Sequence, residues 1–221
     1  EICFISHLEY MKTIERAIKR AKLPVAYSEG FNPHMKLSLA SALGVGVSSM
    51  CELCEIEFYR ELDKQTIVEA LQAALPRGIK IIGAQPADKK ANKLMASVQA
   101  ADYEVTVELL PHALLDTLVV YADYAKLTTM SFEKKMPRGK GSKIVDVKDF
   151  VGDVAFNVKE GKLTVKFSCK ITPTGSLKAT EIMSALKEYL HLPVDLTGIE
   201  VVRTALYKFD QDNNRQDLIR F

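Results

Sequence analysis

Apolar positions along the chain fall into two rhythms, short runs that alternate or stay apolar like strands and longer stretches with a period near 3.6 like helices. Residues 2–5 form an apolar run expected as a strand, and Ser6-His7-Leu8-Glu9 follows with the S-x-x-E form of a capping box. In the helix begun there, Met11, Ile14, Ile18 and Ala21 lie on one stripe while Lys12, Arg16, Lys19 and Arg20 gather on the other side. Leu23-Pro24 ends it, Val25-Ala26-Tyr27 reads as a short strand, and residues 28–34 are dense in turn formers. An ambiguous apolar run over 37–47 precedes a strand near 52–58, a helix capped by Asp63 and running to Leu75, and a strand at 79–82.

A Pro-, Ala- and Lys-rich connector separates this half from a second pass. It holds a strand at 103–109, a helix from Pro111 to about Tyr124 and a strand at 127–132. A basic, Gly-containing loop then leads to strands near 154–158 and 163–167 joined by Glu160-Gly161, a helix over about 179–190 and a strand near 201–206. The repeated order predicts an α+β chain of two tandem ferredoxin-like (βαββαβ) domains with mainly antiparallel sheets. The expected boundaries are 1–85, a connector at 86–101, and 102–221.

Composition narrows the function classes. With 221 residues, 48% hydrophobic and 26% charged, the chain is in the globular range, and a net charge of +2 means any attraction to a polyanion must come from local clustering. There is neither an apolar stretch long enough to span a bilayer nor a signal-peptide pattern, so the cytoplasm is the expected location. The chain opens on Glu1 rather than Met, as a fragment lacking an upstream strand would. Cys51 and Cys54 fall in a strand, where residues three apart face opposite ways, and no second pair at zinc spacing follows. The four cysteines are therefore expected as reduced thiols, with no metal and no cofactor.

Two segments carry candidate chemistry. From Lys134 to Lys143 the cations Lys134, Lys135, Arg138, Lys140 and Lys143 occur with no acid among them, a composition suited to phosphate contact or to a solvated loop. The polar loop Ser28-Glu29-Gly30-Phe31-Asn32-Pro33-His34 is either a built turn or a site. In a βαββαβ sheet the ends of strands 1 and 2 share an edge, which would set Ser6 and His7 beside this loop, with the basic segment at the matching edge of the second half. His7, beside a positive helix end, would favour a neutral ring that serves as a base or simply packs. Arg16 and Arg20 offer a minor basic face, and Gly175-Ser176 before the last helix would leave N–H groups for an anion or a cap.

The strings 4–9, 21–34 and Gly175-Ser176-Leu177-Lys178 resemble the bacterial radical-SAM-linked protein family, a domain of unknown function found beside or fused to a radical S-adenosylmethionine enzyme. Met35 stands where the family pattern has Pro. The resemblance covers most of the chain and implies a radical SAM enzyme as partner and a link to RNA or ribosome biology. It brings no catalytic residues, and the chain itself has no CxxxCxxC cluster motif. The favoured expectation is a non-enzymatic accessory module that binds RNA or a ribonucleoprotein. The alternatives are an RNA-processing or RNA-modifying enzyme using His7 or His34, with Glu29, in general base chemistry, and a protein–protein adaptor.

Overall fold

The structure is a computed structural model that describes residues 2–88, 93–135, 141–172 and 175–219. By contact density the chain divides into one compact unit of Glu1–Val47, Glu52–Val98 and Tyr207–Phe221 and a second of Ser48–Cys51 and Gln99–Leu206. The architecture is mixed α and β, and its paired strands run antiparallel in each ladder for which a register is defined.

The first unit is built on helix α1 (His7–Arg20), strand β1 (Leu37–Leu39), strand β3 (Cys54–Ile56), helix α2 (Lys64–Ala74) and the single turn α3 (Leu94–Ser97). The two capping motifs act as their sequences predict: Ser6 Oγ accepts from Glu9 N at 3.2 Å while Glu9 Oε2 accepts from Ser6 N at 2.8 Å, and Asp63 accepts from Thr66 N at 3.0 Å. Ile14 and Ile18 of the α1 stripe join Val25, Met35, Leu39 and Leu71 in one buried cluster. β1 and β3 pair only over Leu37↔Ile56 to Leu39↔Cys54, extended by the bridges Val25↔Phe58 and Tyr27↔Met35.

The expected duplication is not shown by the described residues of the first unit. Ile2–Phe4 is a 3-10 turn and not a strand, and residues 79–82 form no strand, so the described residues of the first unit lack the outer strands of a βαββαβ sheet. Runs of four apolar residues satisfy strand periodicity and buried coil equally well; Ile2 meets the space above Gly78, whose φ of +96° suits a turn.

The second unit carries the main sheet, ordered β9-β4-β8-β7, from β4 (Ala100–Leu109), β7 (Val151–Lys159), β8 (Lys162–Lys170) and β9 (Val194–Phe209). Helix α4 (Thr117–Lys126) lies between β4 and β7 in sequence and helix α5 (Ala179–Tyr189) between β8 and β9. This is the strand order of a single βαββαβ unit. Its β4–β8 ladder sorts side chains by face: Val105↔Val165 and Val107↔Leu163 are buried, while Glu104↔Lys166 and Glu108↔Lys162 point outward and pair at 2.9 and 4.0 Å. The β7–β8 turn has both Glu160 and Gly161 at positive φ, 52° and 74°, as the Glu-Gly pair predicts. Short β2 (Val47–Ser49) pairs with β9, and β10 (Arg215–Asp217) pairs with its Tyr207–Phe209 end.

Inserted between α4 and β7 is a separate antiparallel hairpin, β5 (Ser131–Lys135) with β6 (Ser142–Asp146). The sequence pattern predicts a strand at 127–132 followed by a basic loop. The hairpin's inward positions offer only Phe132 and Val145 as apolar signal, and the cations obscured the alternation.

Candidate functional site

In the first unit, α1 begins at His7, whose Nδ1 is buried with no hydrogen-bond partner among the described residues. A buried imidazole nitrogen without a partner is uncommon and asks for an explanation. The loop 28–34 is closed by Ser28 N donating to His34 O at 2.8 Å and His34 N donating to Ser28 Oγ at 2.9 Å. Gly30, at φ +115°, turns the tip, and the Phe31 side chain there is fully exposed.

The loop borders an open cleft of about 640 Å³ lined by Tyr27, Ser28, Glu29, Lys36, Glu57 and Tyr59, among others. Lys36 Nζ reaches Glu57 Oε1 at 2.9 Å, and this hydrogen bond and charge, with Glu29 adding to them, hold the ammonium above its ordinary pKa. The Tyr59 hydroxyl accepts from Tyr27 N at 3.2 Å. Lys36, Glu57 and Tyr59 were missed from sequence; alternation marks Glu55 and Glu57 as one strand face, but only the fold reveals which lysine opposes them.

The predicted shared edge of His7 with this loop loses its basis, since it required a strand at 2–5 where the chain makes a 3-10 turn. Among the described residues no three His, Cys, Asp or Glu side chains stand close enough to hold a metal ion. Arg20 is engaged structurally, its guanidinium donating to Ala74 O at the end of α2 at 2.6 Å, while Arg16 is exposed.

In the second unit the basic segment is held firmly at its base. Met130 and Val147, both fully buried, flank the hairpin; Val147 N donates to Met130 O at 2.8 Å and Met130 N to Asp146 Oδ1 at 2.8 Å. The Tyr189 hydroxyl of α5 accepts from Ser131 N at 2.9 Å. The register sets Lys134 directly opposite Lys143 on one face, with Phe132↔Val145 behind them. Lys134 Nζ donates to Ser176 O at 2.5 Å. Glu133 lies on the other face, where its carboxylate accepts from Ser142 Oγ. Lys135 and Lys143 are exposed and make no ion pair among the described residues. Arg138 and Lys140 lie outside the described residues.

The structure thus joins two separately noted features, the basic segment and Gly175-Ser176, through one lysine and one carbonyl. Gly175 does not offer a free N–H: it donates to Thr172 O at 2.9 Å in a turn that its φ of +121° permits. Nor does Ser176 cap α5, whose N-cap is Lys178, with Glu181 Oε2 accepting from Lys178 N at 2.8 Å.

Among solved structures the chain is similar to a chain of the "Crystal Structure of a Cbf5-Nop10-Gar1 Complex", at 11% identity and a TM-score of 0.52. The match covers 91% of this chain and 47% of that one, so the chain spans about half the length of its structural relative, and the likeness is one of fold. No curated protein matches it significantly. No helix among the described residues is long and apolar enough to cross a membrane. A family model matches residues 1–179, and the chain accordingly belongs to the DUF2344 family, described as uncharacterized protein conserved in bacteria.

Proposed function

We propose that this chain is a non-catalytic accessory module that binds RNA through the β5–β6 hairpin. The observation that carries the reading is the direct cross-strand opposition of Lys134 and Lys143. Like charges so placed repel, which a fold tolerates at a small cost and an incoming phosphate relieves. The contrast within the same unit supports it. On the main sheet Lys162 and Lys166 are each matched by a glutamate, whereas Lys135 and Lys143 make no ion pair among the described residues and Lys134 has only the carbonyl of Ser176. Retention of single-stranded RNA on a filter, compared between the natural chain and Lys135→Ala/Lys143→Ala, tests it: a severalfold loss of affinity is expected, and unchanged affinity removes the hairpin from the interaction.

A radical SAM enzyme as the working partner is part of the proposal and rests on the resemblance of the 21–34 string. Capture of the tagged chain from native lysate should bring down such an enzyme, and its consistent absence would leave RNA binding as the whole function. One observation favours a second reading, an RNA-processing or RNA-modifying enzyme: the buried Nδ1 of His7 has no hydrogen-bond partner among the described residues, so no structural bond accounts for this ring nitrogen. That reading requires the purified protein to alter an RNA and His7→Ala to abolish the change.

A further inference from the structure

The cleft of the first unit is built on a closed set of backbone hydrogen bonds. Lys36 N donates to Ala26 O at 2.8 Å, Ala26 N to Glu57 O at 2.8 Å and Glu57 N to Lys36 O at 3.0 Å, so three chain segments meet at one level. The Lys36 ammonium and the Glu57 carboxylate, 2.9 Å apart and half-exposed, are therefore presented side by side from a fixed backbone. Other polar groups in the cleft have capacity to spare. Tyr59 Oη accepts from Tyr27 N and Ser28 Oγ from His34 N, yet neither hydroxyl hydrogen meets an acceptor among the described residues. Glu57 Oε2 and the Glu29 carboxylate accept no hydrogen bond among them either, although Glu29 lies close enough to Lys36 to stabilise its charge.

Glu29 and Glu57 against Lys36 leave one net negative charge, so a phosphate gains little, and a simple cation meets the ammonium beside the carboxylate. A neutral edge that sets an acceptor next to donors satisfies both halves of the pair. Guanine has that edge: O6 accepts from the ammonium, while N1–H and the exocyclic amine donate to the two carboxylate oxygens. Uracil would turn a carbonyl toward the carboxylate, and adenine and cytosine offer it a single amine. The Tyr59 ring, 70% exposed, provides a face on which a base stacks. At about 640 Å³ the cleft lies within the roughly 300–1,000 Å³ of small-molecule sites. We propose that this cleft is a site for guanine, taken as a free nucleoside or as an unpaired residue of RNA. Guanine binding here is independent of RNA contact at the β5–β6 hairpin.

Equilibrium dialysis of labelled guanosine, adenosine and inosine against the full chain tests this. Guanosine should be retained about tenfold better than adenosine and severalfold better than inosine, which lacks the exocyclic amine. Glu57→Gln replaces one acceptor by a donor, so it should lower guanosine retention and erase the preference over inosine. Its unfolding midpoint should change little, because the ion pair it removes is exposed. A natural chain that retains the three nucleosides alike or not at all, or a Glu57→Gln chain that keeps the preference, overturns the assignment. Competition identifies the source: displacement of guanosine by an oligo(A) ribonucleotide with one central guanine, and not by plain oligo(A), marks an unpaired RNA residue, and no displacement by either marks the free nucleoside. Guanosine carries no phosphate and oligo(A) no guanine, so failure of this site and failure of the hairpin to hold RNA show separately.

Discussion

Lys143→Glu reverses one charge in the hairpin and leaves its backbone and apolar side unchanged. The residue stands directly opposite Lys134, so a repulsion becomes an attraction. Cross-strand pairs of this kind contribute roughly 0.2–1 kcal/mol. Because Lys134 Nζ is already held at 2.5 Å by Ser176 O, it reorients little toward the new carboxylate, and a gain near the lower end, about 0.5 kcal/mol, is expected. For a chain of this size that is an increase in melting temperature of roughly 1–2 °C, and it should shrink in molar salt, where the screening length is only about 3 Å. Binding should move the other way. One phosphate contact is lost, which reduces the steepness of log affinity against log salt by about 0.7 for single-stranded RNA, and the carboxylate adds repulsion. Thermal unfolding in low and high salt, with filter retention of RNA across the same salts, measures both. A variant that is more stable and binds less is the expected result; unchanged RNA affinity, or stability and affinity rising together, refutes the reasoning.

Other expectations follow from the cores and caps. Ile18→Ala removes a fully buried side chain from the first unit's cluster and should cost about 2–5 kcal/mol in urea unfolding; a loss under about 1 kcal/mol would mean that the site collapses without a cavity. Burial pushes the Cys169 thiol from 9.0 to about 11, so the folded chain keeps this proton where the unfolded chain has released it. Stability from this group is intact below pH 9 and is lost as pH rises toward 11, by about 3 kcal/mol at most, and this part of the alkaline loss should vanish in Cys169→Ala. Ser6→Ala should cost about 1 kcal/mol through loss of the α1 cap. Its hydrogen bonds also hold the Glu9 carboxyl below its ordinary 4.5, so the capping contribution is present above that pH and fades as pH falls through the lowered value. Melting curves from pH 3 to 7 on the natural chain and Ser6→Ala would show the difference narrowing in acid.

Where several local signals agreed, the sequence was readable. α1, α2 and β7–β8 each combine a capping or turn residue with a periodic apolar face, and Ser6/Glu9, Asp63 and Glu160-Gly161 act as those signals indicate. Where only one signal was present the reading failed. The runs at 2–5 and 79–82 are apolar without punctuation that separates strand from packed coil, and the fourfold strand pattern of the first half depended on them. β9 is 16 residues long although only 201–206 was expected, because Thr197 and Gly198 break the apolar run without breaking the strand. The helix of the second half starts at Thr117, capped by Asp116, and not at Pro111. Of the candidate site, the cluster of cations was legible from composition. Its hairpin register, the Lys134–Ser176 link and the Lys36–Glu57 pair were not, since each depends on residues brought together by folding.

The proposed function requires that the hairpin lysines meet RNA while the sheet lysines do not. Acetylation footprinting of the full chain, with and without bound single-stranded RNA, compares them in one experiment. Protection of Lys135 and Lys143, with Lys162 and Lys166 acetylated equally in both conditions, is the predicted result. Unprotected Lys135 and Lys143 on RNA-saturated protein would contradict it.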